Sequence, residues 1–285
     1  GINHLFYIIK NILGEQVNYA FEDPGYCWGR EYFDSNNRSN FSLNIDSEGA
    51  SIENVINEKN IALLLTPAHQ FPLGIIMSKK RKKEILNWLK EDDTRYLIED
   101  DYDGEFNFSN TRFIPLYKND ENIIYIGSFS RSITPALRIS YMIIPDGLLK
   151  KYDQIFNGFE CPCSLFTQKA LGVFIEDGYF ERHVNRMRNL YTKKKEIIEK
   201  KLSNNNHIKI INDINGLVAL IDIDLNDKKQ FENRLLKEKI KLTSINRFQK
   251  RSENSDYYIL DYSKIEINRL NDAIDTLIEI VKELE

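Results

Sequence analysis

Three short stretches of the sequence gather side chains able to do chemistry. Thr66-Pro67-Ala68-His69-Gln70-Phe71-Pro72-Leu73-Gly74 sets a hydroxyl and an imidazole in a turn stiffened by two prolines. Glu99-Asp100-Asp101-Tyr102-Asp103 packs carboxyl groups around a tyrosine. Gly127-Ser128-Phe129-Ser130-Arg131-Ser132, followed by Pro135 and Arg138, collects the hydroxyl and guanidinium donors of a phosphate cradle. Each has a plainer reading. The acidic run could be solvated surface, the serines could cap a following helix, and His69 could be a hydrogen-bonded structural histidine. Asp100, Asp101 and Asp103 with Ser128 and Arg138 could also hold Mg²⁺ and a phosphate ester. Cys161 and Cys163 lack the partner pair that zinc requires.

The runs before these stretches look like strands. Ile61–Leu65 is continuously apolar, as in a strand buried on both faces of a parallel sheet. Tyr96–Ile98 leads into the acidic group and Ile123–Ile126 into the serines. Further strands are expected at Val17–Phe21, Asn40–Asp46 and Ile139–Ile144, and helices at Leu5–Leu13 and Ser78–Lys90. This alternation predicts an α/β fold with a large, mostly parallel sheet, whose ligands sit beyond the carboxyl ends of the strands. After Pro145 the pattern predicts helices at Leu165–Phe180 and Arg182–Leu202. Strands at Ile208–Ile211, Leu217–Ile223 and Ile259–Leu260 follow, with helices near Lys228–Lys239 and at Ile267–Leu284. The expected division is a large α/β domain over 1–180 and a smaller C-terminal α+β domain over 181–285.

Composition narrows the field. The chain has 285 residues, 39 Lys+Arg against 43 Asp+Glu and 42% hydrophobic residues, an ordinary globular profile able to bury a large core. The formal charge of −4 argues against direct binding to nucleic acid or an anionic membrane. Three cysteines make a poor disulfide framework and fit a reducing, cytoplasmic setting. No apolar run has the length of a membrane span. Gly1 opens directly into an amphipathic stretch, so the start of the large domain is expected to lie upstream.

Taken in order, seven segments resemble one family: Gly1-Ile2-Asn3, Asp23-Pro24-Gly25-Tyr26, Thr66–Pro72, Glu99–Phe106, Gly127–Ser130, Pro135–Arg138 and His183–Arg188. They look like the aminotransferase-like domain of the MocR/GabR regulators of the GntR superfamily, which have the fold-type-I architecture of pyridoxal-phosphate enzymes. The resemblance implies that Asp100 faces the ring nitrogen of pyridoxal 5'-phosphate, Tyr102 its ring hydroxyl and Tyr26 its ring face. It places the phosphate among Ser128, Ser130, Arg138 and the helix N-terminus at Ile2 and Asn3. It also implies a homodimer, an amino-acid or amine effector, and contact with DNA only through a module outside this chain.

Two departures from the family pattern bear on activity. Where the family has the lysine that tethers the cofactor, this chain has Arg131, and a guanidinium stays protonated and cannot form that bond. Where the family reads Arg-hydrophobic-Leu-Leu-Gly-Phe near the C-terminus, this chain reads Tyr257-Tyr258-Ile259-Leu260-Asp261-Tyr262. Tyr257 thus replaces the arginine expected for a substrate carboxylate, with Arg247 or Arg251 as substitutes from the preceding loop. The expectation is an aminotransferase-like regulator domain impaired in transamination, its cofactor held non-covalently or lost. The alternatives are an active aminotransferase using Lys150 or Lys169, or a cofactor-free dimerisation module.

Overall fold

Ile61–Leu65 is buried along its whole length, and the rest of the larger sheet is arranged around it. The computed structural model describes residues 1–35, 40–106, 108, 113–203, 205–212, 214, 216–250 and 256–284. The first half comprises helix α1 (Ile2–Leu13), strand β1 (Asn18–Asp23), helix α2 (Cys27–Asp34), strands β2 (Asn40–Asp46), β3 (Gly49–Ala50) and β4 (Ile61–Leu65), helix α3 (Lys79–Lys90), strands β5 (Arg95–Asp101), β6 (Ile123–Ser128) and β7 (Ser140–Ile143), and helix α4 (Asp146–Phe156). Helices α5 (Leu165–Glu176) and α6 (Tyr179–Leu202) lead to strands β8 (Ile208–Ile210) and β9 (Val218–Ile223), helix α7 (Lys228–Lys237), strands β10 (Thr243–Ser244) and β11 (Tyr257–Asp261), and helix α8 (Ile267–Glu283).

The seven-stranded sheet has the order β3-β2-β1-β4-β5-β6-β7. Its five central strands are parallel, and β3 and β7 are antiparallel edges. Because side chains alternate between faces, Ala62, Leu64, Ile98 and Ile126 meet Phe6, Ile9 and Ile12 of α1 with Leu148 and Phe156 of α4. Leu63, Leu65, Leu97 and Ile123 meet Ile85, Trp88 and Leu89 of α3 on the other face. Helix α3 begins where the Ser78 side chain accepts from the Arg81 N–H.

The smaller sheet is antiparallel, in the order β10-β11-β9-β8. Ile198 and Leu202 of α6, Phe231 and Leu235 of α7, and Ile274 and Leu277 of α8 cover it. Buried Lys194 on α6 donates to the carbonyls of Tyr262 (3.2 Å) and Ser263 (2.8 Å), fixing the end of β11. Among the described residues, no helix is long and apolar enough to cross a membrane.

Most expected elements are present, with instructive differences. Strand β5 continues to Asp101 because its ladder with β6 pairs Asp100 with Ile126 and Asp101 with Gly127. The acidic group is therefore mostly buried strand end, not a solvated loop: Glu99, Asp100 and Asp103 are each under 5% exposed. The expected helix 165–180 stops at Glu176, and left-handed Gly178 (φ 70°) redirects the chain into α6. Helices α2 and α4 were not foreseen. The serine stretch caps no α-helix. A 3-10 turn at Pro135–Leu137 follows instead, and Thr134 caps it.

Ile98→Ala would remove a fully buried side chain from the centre of this sheet. It is expected to lower the stability measured by urea unfolding by about 2–5 kcal/mol.

Candidate functional site

Four adjacent parallel strands, β1, β4, β5 and β6, end along one edge of the larger sheet. Register fixes their alignment, since Leu64 pairs with Phe21, Leu65 with Glu99, and Asp101 with Gly127. The chain leaves β1 for β2 on one side while β4 lies on the other, so this edge is a topological switch point where a crevice opens. A cavity of about 410 Å³ lies there.

All nine residues singled out from the sequence line that cavity: Ile2, Asn3, Tyr26, Asp100, Tyr102, Ser128, Ser130, Arg131 and Arg138. Trp28, Thr66, Phe71 and Ser140 line it as well and were not singled out as binding residues. The signals were there. Thr66 and Phe71 belong to the proline-rich motif, Trp28 is two residues past Tyr26, and Ser140 pairs with Ser128 in the β6–β7 ladder. No lysine is among the lining residues. Lys150 on α4 and Lys169 on α5 are exposed and elsewhere. Tyr257 sits in β11 opposite Asp222. Arg247 rests on the Trp28 ring, 5.3 Å from its centroid, and Arg251 lies outside the described residues.

At one end, the N-terminus of α1 has no side-chain cap. Arg138 lies against it: a Cβ added at Gly1 would come within 2.8 Å of an Arg138 terminal nitrogen. Arg138 reaches this position from a left-handed backbone (φ 54°), a conformation that costs a non-glycine residue about 1–2 kcal/mol. A guanidinium, two serine hydroxyls and a helix N-terminus form a donor set suited to a dianionic phosphate.

The floor is acidic. Asp100 is 4% exposed, and its Oδ1 has no hydrogen-bond partner among the described residues. Burial, reinforced by Asp101, Glu22 and Asp103, pushes its carboxyl up to about 8. Burial likewise lifts Glu22 to about 7, although Thr66 donates to it from both N–H and hydroxyl (3.2 and 2.5 Å). Among the described residues, no group of His, Cys, Asp and Glu is arranged to hold a metal ion.

Tyr102 is positioned by the buried His69. The His69 Nδ1 lies 3.0 Å from Asp103 and 3.0 Å from the Tyr102 hydroxyl. Burial would lower the imidazole, but Asp103 raises it by charge and hydrogen bond. An Nδ1–H donated to Asp103 leaves the Tyr102 O–H free to be donated into the cavity. Arg131 pairs through Nη1 with Asp261 Oδ2 at 3.2 Å, joining the cavity wall to the end of β11. Burial opposes the Arg131 charge, and Asp261 more than restores it.

The donor set around Arg138 and the α1 N-terminus would fit a phosphate group, and the unpartnered Asp100 oxygen would fit a cationic N–H, both of which pyridoxal phosphate carries.

Solved structures similar in fold agree on the class. An α-aminoadipate aminotransferase, LysN from Thermus thermophilus, complexed with N-(5'-phosphopyridoxyl)-L-leucine, superposes with a TM-score of 0.85 at 19% identity, covering 100% of this chain and 76% of its own. The fold is that of the pyridoxal-phosphate aminotransferases, a large mostly parallel sheet with a smaller C-terminal unit.

Sequence relatives narrow this further. An uncharacterized HTH-type transcriptional regulator, YdeL of Bacillus subtilis, is 36% identical over 225 residues, 78% of this chain and 48% of its own. The probable rhizopine catabolism regulatory protein MocR of Rhizobium meliloti is 29% identical over 178 residues, 62% of this chain and 36% of its own. No family model matches the sequence. Its sequence relatives are HTH-type transcriptional regulators, MocR among them, and its fold is that of the aminotransferases, consistent with an aminotransferase-like domain of such regulators. The chain spans about half the length, or less, of the curated relatives it matches.

Asp100 also makes stability depend on pH. Its carboxyl keeps its proton in the fold up to about 8, whereas in the unfolded chain it releases it near the ordinary value of about 4. Between those limits the native state binds more protons, so stability falls as pH rises. Asp100→Asn is expected to flatten part of that fall and to stabilise the ligand-free protein at pH 8, as measured by urea unfolding at a series of pH values. The raised Glu22, Glu99 and Glu105 carboxyls leave a residual slope.

Proposed function

We propose that this domain is the ligand-sensing part of a MocR-type transcriptional regulator. In this reading its cavity takes pyridoxal 5'-phosphate without a covalent tether and does not transaminate. The supporting observation is Asp100, a buried carboxyl with an unpartnered oxygen, across a cavity from an anion-binding end. Asp100 would hold the ring nitrogen, Tyr102 the ring hydroxyl and Tyr26 the ring face. Ser128, Ser130, Arg138 and the backbone at Ile2 and Asn3 would hold the phosphate. When bound, the cofactor supplies an electron sink for charge developing beside an amino group.

The chain's own residues then set the limits of its chemistry. A protonated ring nitrogen gives Asp100 the cation that lets it ionise in a buried place. Tyr102 donates its hydroxyl hydrogen into the cavity, because the His69 Nδ1–H is committed to Asp103. Arg131, kept charged by Asp261, offers neither a nucleophilic lone pair nor a base at any working pH. Substrate turnover needs both, and Lys150 and Lys169 are not at the cavity to supply them.

The effector in this reading is an amino acid or amine. DNA is reached through a segment outside this chain, in keeping with the HTH-type names of its relatives. A second copy is the proposed partner. Helix α5 buries none of its residues, and Leu165, Phe166 and Val173 are 68%, 84% and 55% exposed, an apolar face a lone domain would not leave in water. Phe166→Glu is expected to convert a dimer into a monomer in size-exclusion chromatography with light scattering.

The cofactor reading is tested by titrating the wild-type protein with pyridoxal phosphate. Reversible, saturable perturbation of the cofactor absorbance is expected, with no protein label surviving borohydride. Arg131→Lys should gain a borohydride-fixed label at residue 131, located by peptide mapping. Absence of binding at millimolar cofactor would leave only the dimerisation module, and a labelled wild type would restore an active enzyme.

A further inference from the structure

Arg131 meets a residue of the other departing segment, Tyr257–Tyr262, in space. Arg131 stands at the lysine position and Asp261 at the glycine position of the C-terminal motif. They lie 130 residues apart in sequence, and their side chains pair at 3.2 Å. We infer that Arg131 is the receptor for a ligand carboxylate, and that Asp261 is an internal carboxylate holding that place until the ligand displaces it. This deepens the cofactor reading of the cavity and rests on it, because the ligand concerned is an amino-acid adduct of pyridoxal phosphate.

Four observations support the assignment. Arg131 lines the cavity, and among the described residues the only other guanidinium lining it, Arg138, lies at the α1 end. A ligand with a phosphate and a carboxylate therefore finds one arginine for each. Tyr257, at the position of the family's carboxylate arginine, has no cationic group, and Arg247 is not among the lining residues. The existing pair uses one nitrogen and one oxygen, whereas a guanidinium fork can hold a carboxylate through two parallel hydrogen bonds. Both side chains are also partly open to solvent, 32% for Arg131 and 40% for Asp261, so one carboxylate can exchange for another without burying a bare charge.

Asp261 is built to wait. Its Oδ1 accepts from the Ser263 N–H (3.1 Å) and hydroxyl (2.5 Å), which leaves Oδ2 for Arg131. Once displaced, it keeps those two donors and open water. The exchange also releases the contact between the cavity wall and β11, so an occupied carboxylate site differs from an empty one in how the two sheets are joined.

The test uses two probes, N-(5'-phosphopyridoxyl)-L-leucine and N-(5'-phosphopyridoxyl)-3-methylbutylamine, which differ only in the carboxylate. Calorimetric titration of the wild type is expected to give about tenfold tighter binding of the first, the value of one charge-assisted hydrogen bond. Asp261→Asn should widen that ratio several-fold by removing the internal competitor. Arg131→Gln should abolish the ratio, the two probes then binding it alike. Equal affinities in the wild type, or a ratio that Asp261→Asn leaves unchanged or narrows, would overturn the carboxylate assignment and leave the cofactor cradle standing. If neither probe binds the wild type, the cofactor reading fails and this proposal with it. Circular dichroism of both variants guards against misfolding, and Arg131→Lys offers a second cation lacking the planar fork, expected to recover only part of the ratio.

Discussion

Asp100 is buried at the end of β5 with Glu22, Asp101 and Asp103 close by. Glu22 takes two hydrogen bonds from Thr66, Asp101 one from Tyr125 and Asp103 one from His69. The Asp100 Oδ1 accepts none from a described residue. Leaving a carboxylate charged in such a place costs several kcal/mol, so the fold keeps it protonated until a cation arrives. This local imbalance gives the cavity its chemical sense. A pocket that needed only to be filled could have ended β5 in Val or Leu, in keeping with Leu97 and Ile98 earlier in the strand. The strand instead carries a charge it cannot satisfy alone, at the edge where parallel strands leave room for a ligand.

The surrounding contacts tie this site to both sheets. His69 reaches Tyr102 on one side and packs against the small-sheet side on the other: a Cβ at Gly216 would come 1.9 Å from its ring. Phe71, on the cavity wall, stacks edge-on against Phe248 at 5.0 Å, and the Phe248 carbonyl accepts from the Gly25 N–H next to Tyr26. The wall is therefore shared between residues distant in sequence. Any rearrangement at Tyr102 or Arg131 acts on the join between the sheets, where a sensor domain could convert occupancy into a change of shape.

How much of this was legible depended on range. The all-apolar β4, the alternating β2 and the amphipathic α8 are local patterns, and they are where the sequence placed them. The site residues were readable because each belongs to a short motif at a strand end. Local pattern could not reveal that β5 runs on through its acids, since the ladder partners that hold Asp100 and Asp101 come from Ile126 and Gly127. Nor could it pair Arg131 with Asp261, where neither sequence neighbourhood announces the other. Trp28 and Ser140 were missed for the same reason, being placed by packing and by a cross-strand register. Helix α5 reads as an ordinary apolar helix, and its exposure shows only in the fold.

An arginine at position 131, where the resemblance implies a lysine, would change more than a single covalent bond. A lysine amine in such a cavity can be desolvated until it loses its proton, so its charge is adjustable. A guanidinium keeps its charge over the whole range in which Asp100 and Glu22 titrate. With Arg131 permanently cationic, the acids on the floor can adjust the charge balance of the site. In the proposed reading an incoming phosphate would neutralise one end, a cationic ring nitrogen would let Asp100 ionise, and a carboxylate at Arg131 would replace the one Asp261 already provides. Each contact leaves charge better matched than before, and none requires a bond to form or break. Such a site would, in the proposed reading, favour holding a ligand over transforming it.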